Sequence, residues 1–144
     1  MANSFYSAGV LMDEDKVIMR KRKEGPNAGK WELPMTEVDV SCESFRNAAA
    51  RMISGEMKVP LDKVETLAVL SNEFEEYGGH LDLTFYAGIV SKNADLSHLD
   101  PEWEMVYIGG LTEADVVPEN AQIFDALGTK MATAPDEITP IERN

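Results

Sequence analysis

The sequence is poor in basic residues and in cysteine. Its 144 residues include 13 Lys and Arg against 26 Asp and Glu, which gives a net charge of −13. Broad, sequence-independent nucleic-acid binding depends on clustered Lys and Arg, so we do not expect it here. The single cysteine, Cys42, cannot form a disulfide within the chain. This favours a cytoplasmic protein, because disulfides mark oxidising compartments.

Long apolar runs are missing as well. No stretch approaches the roughly 18 residues that a membrane span needs, and the N-terminus lacks the apolar core of a signal peptide. A composition of 44% hydrophobic and 27% charged residues is typical of a globular chain. The length suits one domain. We therefore expect no membrane partner, one domain over 1–127, and a mobile tail over 128–144, which is rich in Thr, Ala and Pro.

Apolar patterning predicts several short strands and two helices. Residues 44–57 have apolar side chains at three- and four-residue spacings, which predicts a helix capped by Ser44, and 119–127 predicts a second helix. The predicted strands are 5–12, 16–20, 31–34, 38–40, 64–71, 81–90 and 103–108. This order of strands, helix, strands and helix indicates an α+β fold with a mixed sheet packed against helices.

Residues 8–59 resemble a MutT-like Nudix domain. Residues 8–11 and 16–22 are similar to the opening hairpin of that family, and 29–34 to the strand before its signature box. The box is written G-x5-E-x7-R-E-U-x-E-E-x-G-U, where U is aliphatic. Five of its nine defined positions are kept. They are Glu43, Arg51, Ile53, Glu56 and Val59. The resemblance implies the Nudix fold, an α/β/α sandwich with the sheet between helices.

The other four positions make the box degenerate. Met52 replaces the Glu that follows Arg, and Gly55 replaces the first of the paired Glu. Lys58 and Glu37 stand where the box has glycine. The segment from proline to the first box Glu also reads as one residue longer than usual. Two of these changes, Met52 and Gly55, lie at carboxylate positions of the box.

The resemblance implies a magnesium-dependent hydrolase that cleaves a diphosphate bond in a nucleoside triphosphate or a nucleoside diphosphate derivative. It implies catalytic roles for Glu43, Arg51 and Glu56, with Arg51 orienting carboxylates. Carboxylates at i, i+3 and i+4 lie on one helical face and hold hard cations, which lower the pKa of an attacking water. Only Glu56 survives of those three. We therefore expect Mg²⁺ binding at Glu56, with Glu43 as the second carboxylate, to be weak or absent.

Two functions remain open at this point. The first is a pyrophosphohydrolase whose activity is impaired by the degenerate box. The second is a catalytically inactive Nudix-fold module that binds a nucleotide or a protein. In the second case Met52 is an apolar packing residue and Glu56 is a solvated residue of the helix.

A basic cluster at 20–23 is the densest in this acidic chain. Arginine suits bidentate contacts with phosphate, so Arg20 and Arg22 are candidate substrate-binding residues, with Trp31 as a candidate platform for a base. The alternatives are a solvated strand end for the cluster and a core position for Trp31. The predicted ligand is a nucleotide-type small molecule, and the resemblance also allows a homodimer.

Overall fold

A computed structural model describes residues 2–126, which form a seven-stranded sheet with helices. The strands are β1 Ala2–Asp13, β2 Lys16–Lys21, β3 Trp31–Glu32, β4 Met35–Glu37, β5 Leu61–Phe74, β6 Gly79–Val90 and β7 Glu104–Tyr107. The α-helices are α1 Phe45–Ala50 and α2 Pro118–Ala126. Within the described residues no helix has the length and apolarity to cross a membrane. The predicted domain limit at 127 and the tail over 128–144 lie outside this part of the chain.

The sheet is mixed, as predicted. Its main order is β3-β2-β1-β6-β5, while β4 pairs with β1 and β7 pairs with β2. The long central strands β1 and β6 run parallel, with Tyr6 opposite Leu83. The pairs that β1 makes with β2 and β4, and that β5 makes with β6, are antiparallel. Strand β5 forms one end of this order.

Two apolar clusters lie on opposite faces of the sheet. Side chains alternate between the faces of a strand, and β1 follows this rule. Ala8, Val10 and Met12 belong to the cluster that contains Ile123 of α2. Leu11 belongs to the cluster beneath α1. The predicted α+β sandwich, with a sheet between two helical layers, is therefore confirmed.

The first helix begins as predicted and then changes type. The Ser44 hydroxyl accepts a hydrogen bond from the backbone N–H of Asn47 at 3.0 Å, which caps α1. From Arg51 to Glu56 the chain forms a π-helical turn. The helix predicted over 44–57 is therefore α-helical only to residue 50 and continues as a π-helical turn.

Packing gives a physical reason for the wider turn. Met52, Ile53 and Met57 are all buried against the sheet. On an α-helix these three positions span an arc of about 140°. With i→i+5 hydrogen bonding the arc narrows to about 80°. A π-helical turn therefore places all three side chains on a narrower stripe that faces the core.

The predicted strand at 38–40 was also wrong. The strand in this region is β4, three residues earlier, and Val38 adds one further bond from its N–H to the carbonyl of Phe5 at 2.7 Å. The chain then turns at Asp39, whose carboxylate accepts bonds from the N–H and hydroxyl of Ser41 at 3.1 and 2.6 Å. Such local side-chain bonds compete with strand pairing, and alternation alone does not reveal them.

Candidate functional site

The structure brings the three predicted catalytic residues together. Glu43 lies in the loop before α1, while Arg51 and Glu56 begin and end the π-helical turn. Nε and Nη2 of Arg51 donate to the two carboxylate oxygens of Glu43 at 3.3 and 3.0 Å. Nη1 of Arg51 donates to Glu56 Oε2 at 3.1 Å. Arg51 therefore bridges both carboxylates, and a catalytic role for the three residues stays a prediction.

Arg51 is also fixed to the strand before the loop. Its guanidinium donates to the carbonyl of Glu37 at 3.2 Å and to the hydroxyl of Thr36 at 3.4 Å. The hydrogen bond from Arg51 lowers the pKa of Glu43, with a smaller contribution from the N–H of Asp39. Glu43 is therefore a carboxylate at neutral pH, and Arg51 is a cation that holds the loop, β4 and the helix in one arrangement.

An open groove of about 510 Å³ lies beside this cluster. Its lining consists of Phe5, Glu37, Val38, Asp39, Val40, Glu43 and Arg51. Hydrogen bonds, first from the Ser41 side chain and then from Cys42, lower the pKa of Asp39. Asp39 and Glu43 are both carboxylates at neutral pH, and Arg51 offsets the charge of one of them, so the lining keeps a net negative charge. An anionic ligand would meet repulsion here unless a cation accompanied it.

The two box positions that lack their carboxylate, 52 and 55, have different surroundings in the structure. Met52 is 3% exposed and packs in the cluster beneath α1 with Leu11 and Tyr86. Gly55 is exposed, and a β-carbon there would meet no heavy atom within 4 Å. The side chain of Glu56 is 58% exposed. Met52 is thus a core residue, and nothing in the structure explains why a glycine stands at 55.

The donor set fits the magnesium site that the resemblance implies only in part, because Met52 and Gly55 replace two of the three box carboxylates. Among residues 2–126 no group of three or more His, Cys, Asp and Glu is placed to hold a metal ion. Both candidate ligands, Glu43 and Glu56, accept hydrogen bonds from Arg51. A divalent cation would have to share these two carboxylates with a guanidinium, and this favours weak binding at most.

The candidate phosphate-binding arginines are paired with carboxylates. Arg22 donates to Glu32 at 2.8 Å, to Glu76 at 3.2 Å and to Glu119 at 2.6 Å. Arg20 donates to Glu32 at 2.9 Å. The Arg22 side chain is only 14% exposed. The two arginines of the basic cluster are therefore paired with carboxylates within the fold, and their role in binding substrate stays a prediction.

Trp31 lies near the basic cluster at 20–23 and does not line the groove. It is partly buried and packs against the apolar cluster on the α2 side of the sheet. Lys21 Nζ lies 5.3 Å from the centroid of its ring. Neither Trp31 nor Arg20 nor Arg22 is part of the groove lining. The structure thus separates the predicted substrate-binding residues from the predicted catalytic ones.

The sequence did not predict that Glu119, at the start of α2, is buried. Glu119 is fully buried, and its Oε2 accepts hydrogen bonds from Arg22 and from the Tyr77 hydroxyl. Its Oε1 has no hydrogen-bond partner within the described part of the chain. Burial, and then the hydrogen bond to Glu119, raise the pKa of Tyr77. Glutamate is almost never fully buried unless it is paired, and its partner Arg22 is distant in sequence, so spacing could not reveal this burial.

Comparison with known proteins gives matches in structure alone. No protein-family model and no curated protein matches the sequence. The fold is similar to that of a MutT Nudix hydrolase from Burkholderia pseudomallei, with 18% identity, a TM-score of 0.68 and 88% of this chain and 98% of that chain covered. It is equally similar to the Nudix domain of Shewanella oneidensis NrtR complexed with ADP-ribose, with 18% identity, a TM-score of 0.68 and 92% and 90% covered.

A third structural neighbour is a protein-binding domain. The C-terminal domain of mouse MUTYH, in a complex with human PCNA, has 16% identity and a TM-score of 0.67, with 85% of this chain and 86% of that chain covered. Similarity at these identities shows the fold alone. The prediction of the Nudix fold is confirmed by these neighbours.

Proposed function

Starting from the Nudix fold of this chain, we propose that it binds a nucleotide-type small molecule beside Arg51 and hydrolyses a diphosphate bond slowly or not at all. One observation carries the proposal. Met52 is buried in the core and Gly55 has no side chain, so one of the three box carboxylates remains. Loss of a positioned acid–base group alone costs roughly 10²–10⁴ in rate. The ADP-ribose complex of the NrtR Nudix domain supports the class of ligand.

The residues of the site would act by holding charge in place. Arg51 keeps Glu43 and Glu56 oriented, and its side chain remains 42% exposed. Any Mg²⁺ bound here would have Glu56 and Glu43 as its carboxylate ligands, and it would neutralise the charge of a diphosphate. Because Arg51 competes for both carboxylates, we expect this cation to bind weakly. Nucleotide affinity should then depend on a high concentration of Mg²⁺.

The second candidate is a protein-binding module without catalysis. The electronegative groove favours it, since a free diphosphate is repelled by such a surface. The complex of the MUTYH domain with PCNA supports protein binding by this fold. In this case the fold serves as a binding scaffold, and the absence of Glu at positions 52 and 55 does not affect binding, because no catalysis takes place.

Calorimetry and a hydrolysis assay test the proposal together. We expect ADP-ribose or ATP to bind in the presence of Mg²⁺, and Glu56→Gln to weaken the binding of Mg²⁺. Glu24→Gln, in the exposed loop between β2 and β3, is the control with the same change of charge. Turnover at the ordinary enzymatic rate of about 1–10³ s⁻¹ would contradict impaired catalysis. Absence of binding by both nucleotides, with and without Mg²⁺, would contradict the nucleotide ligand.

A further inference from the structure

Three carboxylates meet at the guanidinium of Arg22. Its Nε donates to Glu32 at 2.8 Å, its Nη1 to Glu76 at 3.2 Å and its Nη2 to Glu119 at 2.6 Å. The side chains of these three glutamates are 11%, 13% and 0% exposed, in the same order. Glu32 has a second cationic partner, because Arg20 also donates to it at 2.9 Å. Glu76 and Glu119 therefore share a single positive charge in a place that solvent hardly reaches.

One carboxylate oxygen in this cluster is buried without a hydrogen bond. Oε2 of Glu119 accepts bonds from Arg22 and from the Tyr77 hydroxyl, whereas its Oε1 has no partner among the described residues. Native proteins rarely leave a buried polar atom unpaired, because the hydration lost on burial is then not replaced. The oxygen therefore calls for a donor that lies beside it.

Glu76 is the neighbour that can supply this donor. Its carboxylate and that of Glu119 contact the two terminal nitrogens of the same guanidinium, so they lie side by side. When two carboxylates share a site, their repulsion raises the pKa of one of them. Burial, and then the charge of Glu119, raise the pKa of Glu76. The charge of Arg22 and a bond from Asn27 oppose this rise without cancelling it.

We propose that Glu76 and Glu119 share one proton, which stays on Glu76 over a pH range in which ordinary glutamates are ionised. The O–H of Glu76 donates to Oε1 of Glu119, while Oε2 of Glu119 continues to accept from Arg22. A water molecule would satisfy Oε1 but would leave the repulsion between two negative charges. The inference goes beyond the nucleotide site proposed above and does not depend on it.

The shared proton forms a pH-sensitive connection between two elements. Glu76 lies in the turn Glu75–Tyr77 between β5 and β6, and Glu119 lies in the first turn of α2. At higher pH the proton of Glu76 leaves to solvent, and two adjacent negative charges then repel each other across this contact. The turn is therefore joined to α2 at low pH and is held less firmly at high pH.

The other groups that face the pair keep their charge states. Burial alone would lower the pKa of Arg22, but hydrogen bonds to Glu119 and Glu32 raise it above its ordinary value. Burial, and then the bond to Glu119, raise the pKa of Tyr77 as well. Arg22 therefore stays a cation and Tyr77 stays a neutral donor, which leaves the carboxylates as the groups that titrate.

An NMR titration of the glutamate carboxyl carbons tests where the proton is held. We expect Glu76 to titrate above its ordinary pKa of 4.5, and Glu119→Gln to lower that pKa because the neighbouring charge is removed. A titration at the ordinary value, or one that Glu119→Gln leaves unchanged, would overturn the inference. Circular dichroism checks that the variant is folded. If it unfolds, the wild-type titration and the following stability comparison decide.

Urea denaturation of two Glu76 variants tests the hydrogen bond. Glu76→Gln has the same shape and carries a permanent donor, whereas Glu76→Met has a similar length and none. Because the folded chain holds the proton more tightly than the unfolded chain, the wild type loses stability as the pH rises from the unfolded to the folded pKa. We expect its urea midpoint to fall relative to that of Glu76→Gln by about 0.3 M or more between about pH 5 and about pH 8. Glu76→Met should lie below Glu76→Gln at both pH values.

The matched control is Glu75→Gln, which removes the same charge at an exposed neighbouring position. Its urea midpoint should follow that of the wild type over this pH range. If Glu75→Gln and Glu76→Gln changed the pH dependence equally, the effect would belong to the general acidity of a chain with a net charge of −13.

Equal midpoints of Glu76→Gln and Glu76→Met would mean that Glu76 supplies no hydrogen bond to Glu119. Either of these two results would overturn the inference. The nucleotide proposal is tested by separate binding measurements, so each can fail without the other.

Discussion

Arg51 and Glu56 are five residues apart and still form an ion pair, with Nη1 3.1 Å from Oε2. On an α-helix, positions i and i+5 differ by about 140° around the axis and do not face each other. The π-helical turn from Arg51 to Glu56 reduces this angle to about 50°. The pair is therefore a product of the wider turn. It also means that the face predicted for the box carboxylates from α-helical spacing does not apply here.

Restoring a carboxylate at 55 should strengthen cation binding. Gly55 is exposed, and a side chain there meets no obstacle within 4 Å. We expect Gly55→Glu to fold, to be more stable in the helix by several tenths of a kcal/mol, and to bind Mg²⁺ about tenfold more tightly by calorimetry. Gly55→Gln is the control, because it adds the same length without the charge. Equal Mg²⁺ affinity of the two variants would mean that the cation does not bind beside position 55.

Restoring the other carboxylate should damage the fold. Met52 is 3% exposed within the cluster beneath α1. An uncompensated carboxylate there is either desolvated or protonated, so we expect Met52→Glu to lower the free energy of unfolding by about 3 kcal/mol. Met52→Leu keeps the volume and should cost less than about 1.5 kcal/mol. Urea denaturation measures both, and similar midpoints for the two variants would contradict the core position of Met52.

His80 joins the two strands of the β5–β6 hairpin through acidic partners. Its Nδ1 lies 2.9 Å from Glu73 Oε2, and its Nε2 lies 2.7 Å from the hydroxyl of Ser71 and 3.4 Å from Asp82 Oδ1. The hydrogen bond to Glu73, followed by the charges of Asp82 and Glu73, raises the pKa of His80 above 6.5. The protonated ring is therefore preferred in the folded state.

The raised pKa of His80 determines how the stability contributed by this residue changes with pH. A raised pKa in the folded state contributes stability that is fully present below the unfolded pKa of about 6.5 and is lost as the pH rises through the folded pKa. We expect His80→Gln to lower the melting temperature at about pH 5.5 more than at about pH 9. NMR titration should give a pKa for His80 above 6.5 that falls in Glu73→Gln. A pKa unaffected by that substitution would contradict the pairing.

Much of the fold follows from patterns that the sequence displays openly. The predicted strands, the helical spacing after Ser44 and their order along the chain indicated a mixed sheet packed against helices, which is what the structure has. The π-helical turn was not predicted, because its apolar residues also satisfy α-helical spacing. The strand predicted at 38–40 does not form, because the Asp39 carboxylate bonds to Ser41 and turns the chain. Alternation of apolar and polar residues does not reveal such local bonds.

The site was predicted only in part, for a reason that lies in long-range contacts. Glu43, Arg51 and Glu56 are close in sequence, so the spacing of the box was enough to place them together. Arg22 and Glu119 are 97 residues apart, and no local pattern brings them into contact. The basic cluster consequently indicated a phosphate site, although its charges are used for contacts within the fold.

The Arg22–Glu119 pair leads to the last prediction, which concerns stability. Glu119 is fully buried and Arg22 donates to it at 2.6 Å, so α2 is connected to the residue that follows β2 through two desolvated charges. Removing one member of a buried pair leaves the other uncompensated, which typically costs about 3–5 kcal/mol. Because Arg22 keeps Glu32 and Glu76, we expect Glu119→Gln to lower the free energy of unfolding by about 3 kcal/mol, the lower end of that range. Urea denaturation measures the change.

Two further variants show whether the charge itself is responsible. Glu75→Gln, at an exposed position of the β5–β6 turn, is the control and should change the stability by less than about 0.5 kcal/mol. Arg22→Met combined with Glu119→Gln should cost clearly less than the sum of the two single changes, since the double variant leaves no unpaired charge between these positions. Additive losses would mean that Arg22 and Glu119 stabilise the fold through separate contacts, with Glu32 and Glu76 compensating Arg22 on their own.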